Sequence, residues 1–162
     1  MDYTACYRSP LGGITLASDG EALTGLWFDG QRHYGSTLAP DHEECPALPV
    51  FEETRRWLDL YFSGVVPVFT PPLCLSGTPF RLKVWQELLE IPYGETAAYG
   101  DLANRLGCRS PQSVGSAVGH NPVSIIVPCH RVVPADGSPG GYAGGVGRKQ
   151  WLLGLEKKQG TP

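Results

Sequence analysis

The sequence predicts an α+β protein built from two parts. Hydrophobic and polar residues alternate near the start of the chain, as they do in strands, whereas apolar residues recur at helical spacing in the later half. A stretch rich in proline, glycine and serine, from Ser63 to Pro79, separates the two patterns. With 162 residues, 41% of them hydrophobic, the chain can bury a core as one large domain or two small ones.

The first part, residues 1–70, is expected to be a small α+β domain. Alternation around the turn at Ser18, Asp19 and Gly20 predicts a β-hairpin in YRSPLGGITLASDGEALTGLWFDG. A helix is predicted next, in VFEETRRWLDLYFSG, because its aromatic and aliphatic residues follow a helical period and it ends at a glycine. Residues 71–78 are predicted to be a linker, since their prolines supply no backbone donors for a helix or a central strand.

The second part, residues 79–162, is predicted to be mainly helical. A first helix is expected after Thr78 as its cap and Pro79 in its first turn. A second, short helix in TAAYGDLANRLG ends at Gly107, and a third in SPQSVGSAVG begins with Ser110 as its cap and Pro111 at its first position. This short pair matches a helix-turn-helix, with a plain helical hairpin as the alternative. An amphipathic helix in RKQWLLGLEKK is expected to close the chain.

Composition favours a folded intracellular protein. No apolar run approaches the roughly 18 residues that a membrane span needs, and the opening MDYTACYRSP lacks the features of a secretion signal. A cytoplasmic location is therefore expected. The five cysteines include no CxxC pair, so we expect free thiols, metal ligands or a catalytic group rather than disulfides.

Charge is unevenly distributed along the chain. The net charge is −3, but residues 1–78 carry 4 Lys+Arg against 10 Asp+Glu, whereas the remaining residues carry 9 against 6. The second part is therefore the better candidate to face a polyanion. The cations of the last helix, among them Arg148 and Lys149, are expected to form a solvated face.

The pair Cys129-His130 is the strongest candidate for chemistry. It lies in SIIVPCHRVV, which is predicted to be a buried β segment interrupted by Pro128. Polar groups in such a segment need partners, because burying them without hydrogen bonds costs free energy. A cysteine becomes a strong nucleophile when a histidine or another cation lowers its pKa. A carboxylate behind His130 would complete a relay, and Glu156 in the last helix is a candidate.

Three stretches of the second part resemble the O6-alkylguanine-DNA alkyltransferase family. They are GTPFRLKVWQELLEIPYGETAAYGDLANRLG, NPVSIIVPCHRVV and GYAGG, in one collinear order over about residues 77 to 158. The tyrosine of GYAGG follows the cysteine of PCHR by thirteen residues, which makes the match specific. The resemblance implies a small N-terminal α+β domain followed by a winged helix-turn-helix catalytic domain. It also implies a double-stranded DNA substrate containing O6-alkylguanine, for a protein that acts as a monomer.

The resemblance also implies a role for each matching residue. Cys129 would accept the alkyl group from O6 of a flipped-out guanine, His130 would act through water as its base, and Glu156 would support His130. The remaining roles concern the turn, the departing guanine and the base pocket. Asn121 would brace the active-site turn, Tyr142 would donate toward N3 of the guanine, and the backbone around Val132, Ala143 and Gly144 would hold the base.

DNA contacts are implied for Tyr99, beside the phosphate of the flipped nucleotide, and for Gln112, Ser113, Arg109 and Arg131. The family usually has an arginine, in an RAVG-like stretch, where this chain has Gln112 in QSVG. Glutamine is shorter and uncharged, so it cannot offer the planar cation that stacks and binds phosphate. Arg109, just before the helix cap, is a candidate to replace that charge.

No cofactor is expected. Zinc in the first part is kept as an alternative, although the spacings do not form a zinc signature; its candidate ligands are Cys6, His33, His42, Cys45 and Cys74. The leading functional hypothesis is stoichiometric transfer of the alkyl group to Cys129. A DNA-binding damage sensor with weak transfer, motivated by Gln112, and a cysteine hydrolase using Cys129 and His130 are the alternatives.

Overall fold

The predicted α+β class is confirmed by the structure, a computed structural model that describes residues 1–160. The first part contains a four-stranded sheet, ordered β3-β2-β1-β4, and one long helix. Its elements are β1 (Asp2–Ser9), β2 (Gly12–Ser18), β3 (Leu23–Phe28), β4 (His42–Glu44) and α1 (Pro49–Phe62). The predicted hairpin corresponds to β2 and β3, which pair antiparallel, and β1 extends it as a third antiparallel strand.

The second part contains the predicted helices. They are α2 (Pro79–Leu89), α3 (Tyr99–Leu106), α4 (Pro111–Gly119) and α5 (Val146–Gly160). The caps follow the sequence signals: the Thr78 hydroxyl accepts from Arg81 N, and the Ser110 hydroxyl accepts from Ser113 N. Gly107 ends α3 in the left-handed conformation, with φ 64°. The short pair α3 and α4 packs against α2, where Trp85 Nε1 donates to Ala117 O across 2.8 Å.

The two parts are joined by backbone hydrogen bonds at the edge strand β3. Leu26 N donates to Pro122 O, and Ser124 N donates to Leu26 O, at 2.8 and 2.9 Å. The segment that leads to Cys129 is thereby attached to the sheet of the first part. Apolar residues from both parts form one buried cluster, so the sheet is part of the scaffold that holds this segment.

The predicted β segment in SIIVPCHRVV is wrong in its conformation, although its burial is confirmed. All residues from 121 to 132 are buried, but Cys129–Arg131 forms a 3-10 turn, and only Val132–Val133 is a strand, β6. That strand pairs in parallel with β5 (Ala97–Ala98). Pro128 cannot donate a ladder hydrogen bond, and Ile125 has a φ of 70°, which no regular strand accommodates.

The division into residues 1–70, 71–78 and 79–162 stays a prediction, as does the wing implied by the resemblance. Residues 161 and 162 of that division lie outside the described residues. Among the helices described in residues 1–160, none is both long enough and apolar enough to cross a bilayer.

Candidate active site

The site is built on a buried turn that Asn121 holds together. Its side-chain amide donates to Val127 O at 2.8 Å and to Val123 O at 3.1 Å, and its carbonyl oxygen accepts from Val123 N at 3.0 Å. One side chain thus fixes three backbone groups between α4 and Cys129. Those bonds also hold Ile125 at φ 70°, a conformation that β-branched residues rarely adopt.

Cys129 is at the bottom of a pocket of about 330 Å³. Tyr99, His120, Tyr142 and Ala143 are among the other residues that line it. The thiol is buried, and that burial raises its pKa. The Asn121 side chain, the charge of Lys149 and Tyr142 act in the opposite direction and favour the thiolate. The surroundings therefore combine burial, which raises the pKa of the thiol, with groups that favour the thiolate.

His130 and Glu156 form a buried pair behind the cysteine. His130 Nε2 lies 2.5 Å from Glu156 Oε2, and both side chains are almost completely buried. Burial lowers the pKa of His130 despite the nearby carboxylate, so the ring is neutral near pH 7. An ionised Glu156 fixes the ring proton on Nε2, which leaves Nδ1 with its lone pair. Among the described residues Nδ1 has no hydrogen-bond partner, so it can accept a proton.

Glu156 is held as a carboxylate by several donors. Burial alone would raise its pKa, but hydrogen bonds to His130 and Arg131 hold the pKa at about 2. Arg131 Nε donates to Oε1 at 2.7 Å, and Gly94 N donates to the same oxygen at 3.2 Å. Tyr61 of α1 donates its hydroxyl to Oε2 at 2.6 Å. The first part of the chain therefore contacts the His130–Glu156 pair directly through Tyr61.

The resemblance implies a DNA contact for Arg131, but in the structure Arg131 is an internal partner of Glu156. Its side chain is only 10% exposed, and its guanidinium also donates to Ile91 O at 2.7 Å. Its Nε and both terminal nitrogens thus donate to partners inside the protein. The sequence could not reveal this, because the partner carboxylate is 25 residues away.

The prediction of a solvated Lys149 is also wrong, because this residue is fully buried. Its Nζ donates to Val132 O at 2.7 Å and to Gly141 O at 3.1 Å, which joins the strand after Cys129 to the glycine loop. Arg148 is half-buried as well: it donates to Leu11 O and Gly144 O, and its guanidinium lies 4.7 Å from the centre of the Phe28 ring. Sequence reasoning missed both, since a basic pair in an amphipathic helix usually faces water.

The glycine loop forms one wall of the pocket. Tyr142 places its hydroxyl in the buried space, where it has no hydrogen-bond partner among the described residues. A Cβ at Gly144 would lie 2.7 Å from the Tyr142 ring and 3.0 Å from Phe28, so only glycine fits there without a shift. Ala143 accepts a hydrogen bond from Arg32 N at 3.1 Å, which attaches the loop after β3 to this wall.

The predicted DNA contacts other than Arg131 lie on or near the outer face. Tyr99 begins α3 and lines the pocket, next to Gly115 of α4. Arg109, Gln112 and Ser113 are exposed around the start of α4. The five candidate zinc ligands are scattered, and the described residues contain no group of three or more His, Cys, Asp or Glu side chains that could hold a metal.

The fold and the site define a protein with a cysteine nucleophile, whose buried thiol opens to a pocket beside a pair of short helices. The family described as 6-O-methylguanine DNA methyltransferase matches twice, with its ribonuclease-like domain over residues 3–75 and its DNA-binding domain over residues 79–158. The chain belongs to the 6-O-methylguanine DNA methyltransferase family.

The names of similar proteins agree with this family assignment. The methylated-DNA--protein-cysteine methyltransferase of Mycobacterium tuberculosis (strain H37Rv) is 44% identical over 153 residues, 93% of this chain and 90% of the relative. That of Haemophilus influenzae is 41% identical over 157 residues, 96% of this chain and 86% of the relative. The crystal structure of M. tuberculosis OGT in complex with DNA superposes with a TM-score of 0.88 at 42% identity and covers 97% of this chain and 94% of the other.

Proposed function

We propose that this protein repairs DNA by transferring an alkyl group from O6 of a guanine to Sγ of Cys129. The observation that carries the proposal is the buried thiol at the bottom of a pocket, with His130 and Glu156 paired behind it. The similarity to methyltransferases of this kind, and to a relative crystallised with DNA, supports the DNA substrate. In this proposal the protein acts as a cytoplasmic monomer.

The chemistry begins with removal of the thiol proton. His130 takes up this proton at Nδ1, through a bridging water as the resemblance implies, and Glu156 stabilises the resulting imidazolium. The thiolate then attacks the alkyl carbon. A C–S bond forms while the C–O6 bond breaks, and the electron pair of that bond stays with the guanine.

The departing guanine needs a proton to leave as a neutral base. Tyr142 can stabilise it by donating a hydrogen bond, because its buried hydroxyl lines the same pocket and stays protonated. The proton that balances the charge is the one taken from Cys129, which returns from His130 by way of water. Ala143 lines the pocket, and the resemblance implies that the backbone around Val132, Ala143 and Gly144 would hold the base. A guanine reaches such a depth only after it leaves the helical stack, which costs a few kcal/mol.

The product limits each molecule to one reaction. A thioether on Cys129 is not hydrolysed as an acyl-enzyme ester is. The described residues that line the pocket include no second cysteine that could accept the group. In this proposal no cofactor takes part, and DNA binds across α3 and α4, with Tyr99, Arg109, Gln112 and Ser113 near its backbone.

The test is intact-mass spectrometry after incubation with a duplex that contains one O6-methylguanine. We expect a gain of about one methyl group, which stops at one per molecule, and no gain for Cys129→Ser. Cys108→Ser is the matched control, because Cys108 is half-buried near α4 but outside the pocket. Repeated turnover without an adduct would indicate a hydrolase, and DNA binding without an adduct would indicate a damage sensor.

A further inference from the structure

Two histidine rings stack at the entrance of the Cys129 pocket, and the proposed function does not use them. His33, in the loop after β3, and His120, at the end of α4, have ring centroids 3.8 Å apart and planes inclined by 27°. Both residues line the same pocket as Cys129. The stack therefore connects the loop after β3 to the end of α4. A nucleotide would enter the pocket at this point.

The backbone of His33 is held in an uncommon conformation. Its φ is 58°, in the left-handed region that residues other than glycine seldom occupy. The residue before it is fixed to the opposite wall of the pocket, because Arg32 N donates to Ala143 O at 3.1 Å. Strained residues are concentrated at ligand-binding sites, where neighbouring contacts hold them in place.

The arginines that act electrostatically on His33 are both positive. Arg32 lines the pocket with the two histidines, and Arg81 of α2 is close enough to act electrostatically on His33. Burial, His120 and these two arginines lower the pKa of His33. The other titratable groups that face the pocket are Tyr99, Cys129 and Tyr142, whose pKa values are raised, so they stay neutral. Among the described residues lining this pocket, none carries a carboxylate.

We infer that His33, His120, Arg32 and Arg81, here called the histidine rim, bind the DNA backbone phosphates that flank the extrahelical nucleotide. This inference rests on the proposed function. A phosphodiester is the anion that DNA brings to the entrance, and imidazolium and guanidinium groups both donate to it. Arg81 also lines a second, shallower depression together with Gln112, so the rim continues toward the start of α4, where Gln112 supplies no charge.

If the histidine rim binds phosphates, DNA binding should be accompanied by proton uptake. Without DNA, the neighbouring cations oppose protonation of His33; a bound phosphate reverses that effect. Affinity should therefore increase as the pH falls into the range in which a bound phosphate allows His33 to be protonated. A helix pair that bound DNA without the rim would show no such increase from His33.

The test measures the dissociation constant of a fluorescent duplex carrying O6-methylguanine, by anisotropy, for the full chain with Cys129→Ser. Between about pH 8.5 and about pH 6 we expect binding to tighten about tenfold, and the salt slope to steepen by about one charge. His33→Asn with His120→Asn should abolish both changes. His33→Lys should bind more tightly than its parent at about pH 8.5. His42→Asn, at an exposed histidine outside the pocket, is the matched control.

Retention of the full pH dependence in the double variant would overturn the inference, as would equal binding of parent and double variant at about pH 6. Transfer from free O6-benzylguanine base, which has no phosphates, separates this result from failure of the proposed function. With Cys129 present, the double variant should react with the free base at the parental rate and with DNA more slowly. Absence of transfer from both substrates in the parent would refute the proposed function, while the anisotropy result would still decide whether the rim binds DNA.

Discussion

At the scale of single residues, burial and charge compete at Cys129. Burial raises the pKa of the thiol, and the charge of the buried Lys149 opposes this. Lys149→Met should remove that charge and move the pH profile of single-turnover transfer to higher pH, with a rate about tenfold lower near neutrality. Lys149→Arg should restore part of the rate at the same pH. An unchanged pH profile in Lys149→Met would show that the lysine acts only through packing.

Gly144 sets the distance between the glycine loop and the sheet. Gly144→Ala should slow transfer by at least about tenfold, because the new methyl group would displace the Tyr142 ring or Phe28. Gly147→Ala is the control, since no atom lies within 4 Å of a Cβ placed there. Single-turnover rates with a methylated duplex distinguish the two variants, and equal rates would contradict the assigned role of this wall.

The residues of the relay differ in how far the sequence could predict them. The sequence made Glu156 one candidate partner for the Cys129-His130 pair, the family resemblance implied its role, and the structure brings Glu156 to His130. The environments of Arg131 and Lys149 could not be predicted, because each depends on distant acceptors that become neighbours only after folding. Tyr61 was missed for the same reason: it is 95 residues from Glu156 and fits the apolar pattern of α1.

At the scale of elements, α1 is coupled to the relay through Tyr61. Tyr61→Phe should remove the hydroxyl donor from Glu156, which makes the carboxylate a stronger acceptor for His130. The pKa of His130 should then rise, so the rate should begin to fall at a higher pH on the acid side of the pH–rate profile. The loss should also reduce the free energy of unfolding by about 1 kcal/mol. Tyr7→Phe is the matched control, because Tyr7 donates to the exposed Asp59 outside the site. A change in stability without a shift of the profile would leave Tyr61 a structural residue only.

Elements with local signals were predictable, and elements defined by distant partners were not. The caps at Thr78 and Ser110 and the stop at Gly107 act within one turn, so α2, α3 and α4 could be placed from sequence. β4 has only three residues, all exposed, and exists through its pairing with β1. The turn at Cys129 resembles a strand in composition, but Asn121 and Pro128 impose a different path.

At the scale of the whole molecule, the buried carboxylate links stability to pH. The folded-state pKa of Glu156, about 2, is below its usual value of 4.5. Its contribution to the free energy of unfolding is therefore complete above about pH 5.5 and is lost as the pH falls from about 4.5 toward 2. The stability difference between the wild type and Glu156→Gln, measured by urea denaturation, should be constant near neutrality and narrow below about pH 4.5.

Glu95→Gln, at an exposed carboxylate, should give no comparable trend. A difference between wild type and Glu156→Gln that stays constant down to about pH 3 would contradict an ionised Glu156 in the folded protein.

The identity of the acceptor sulfur tests the central claim most directly. After reaction with a duplex whose O6-methyl group is deuterated, tryptic peptides would be analysed by tandem mass spectrometry. Cleavage after Arg109 and Arg131 gives a peptide in which Cys129 is the single cysteine, separate from Cys108. We predict the labelled methyl group on Cys129 and on none of the other four cysteines. Label on another cysteine, or an unlabelled protein beside demethylated DNA, would contradict the assignment of Cys129 as the alkyl acceptor.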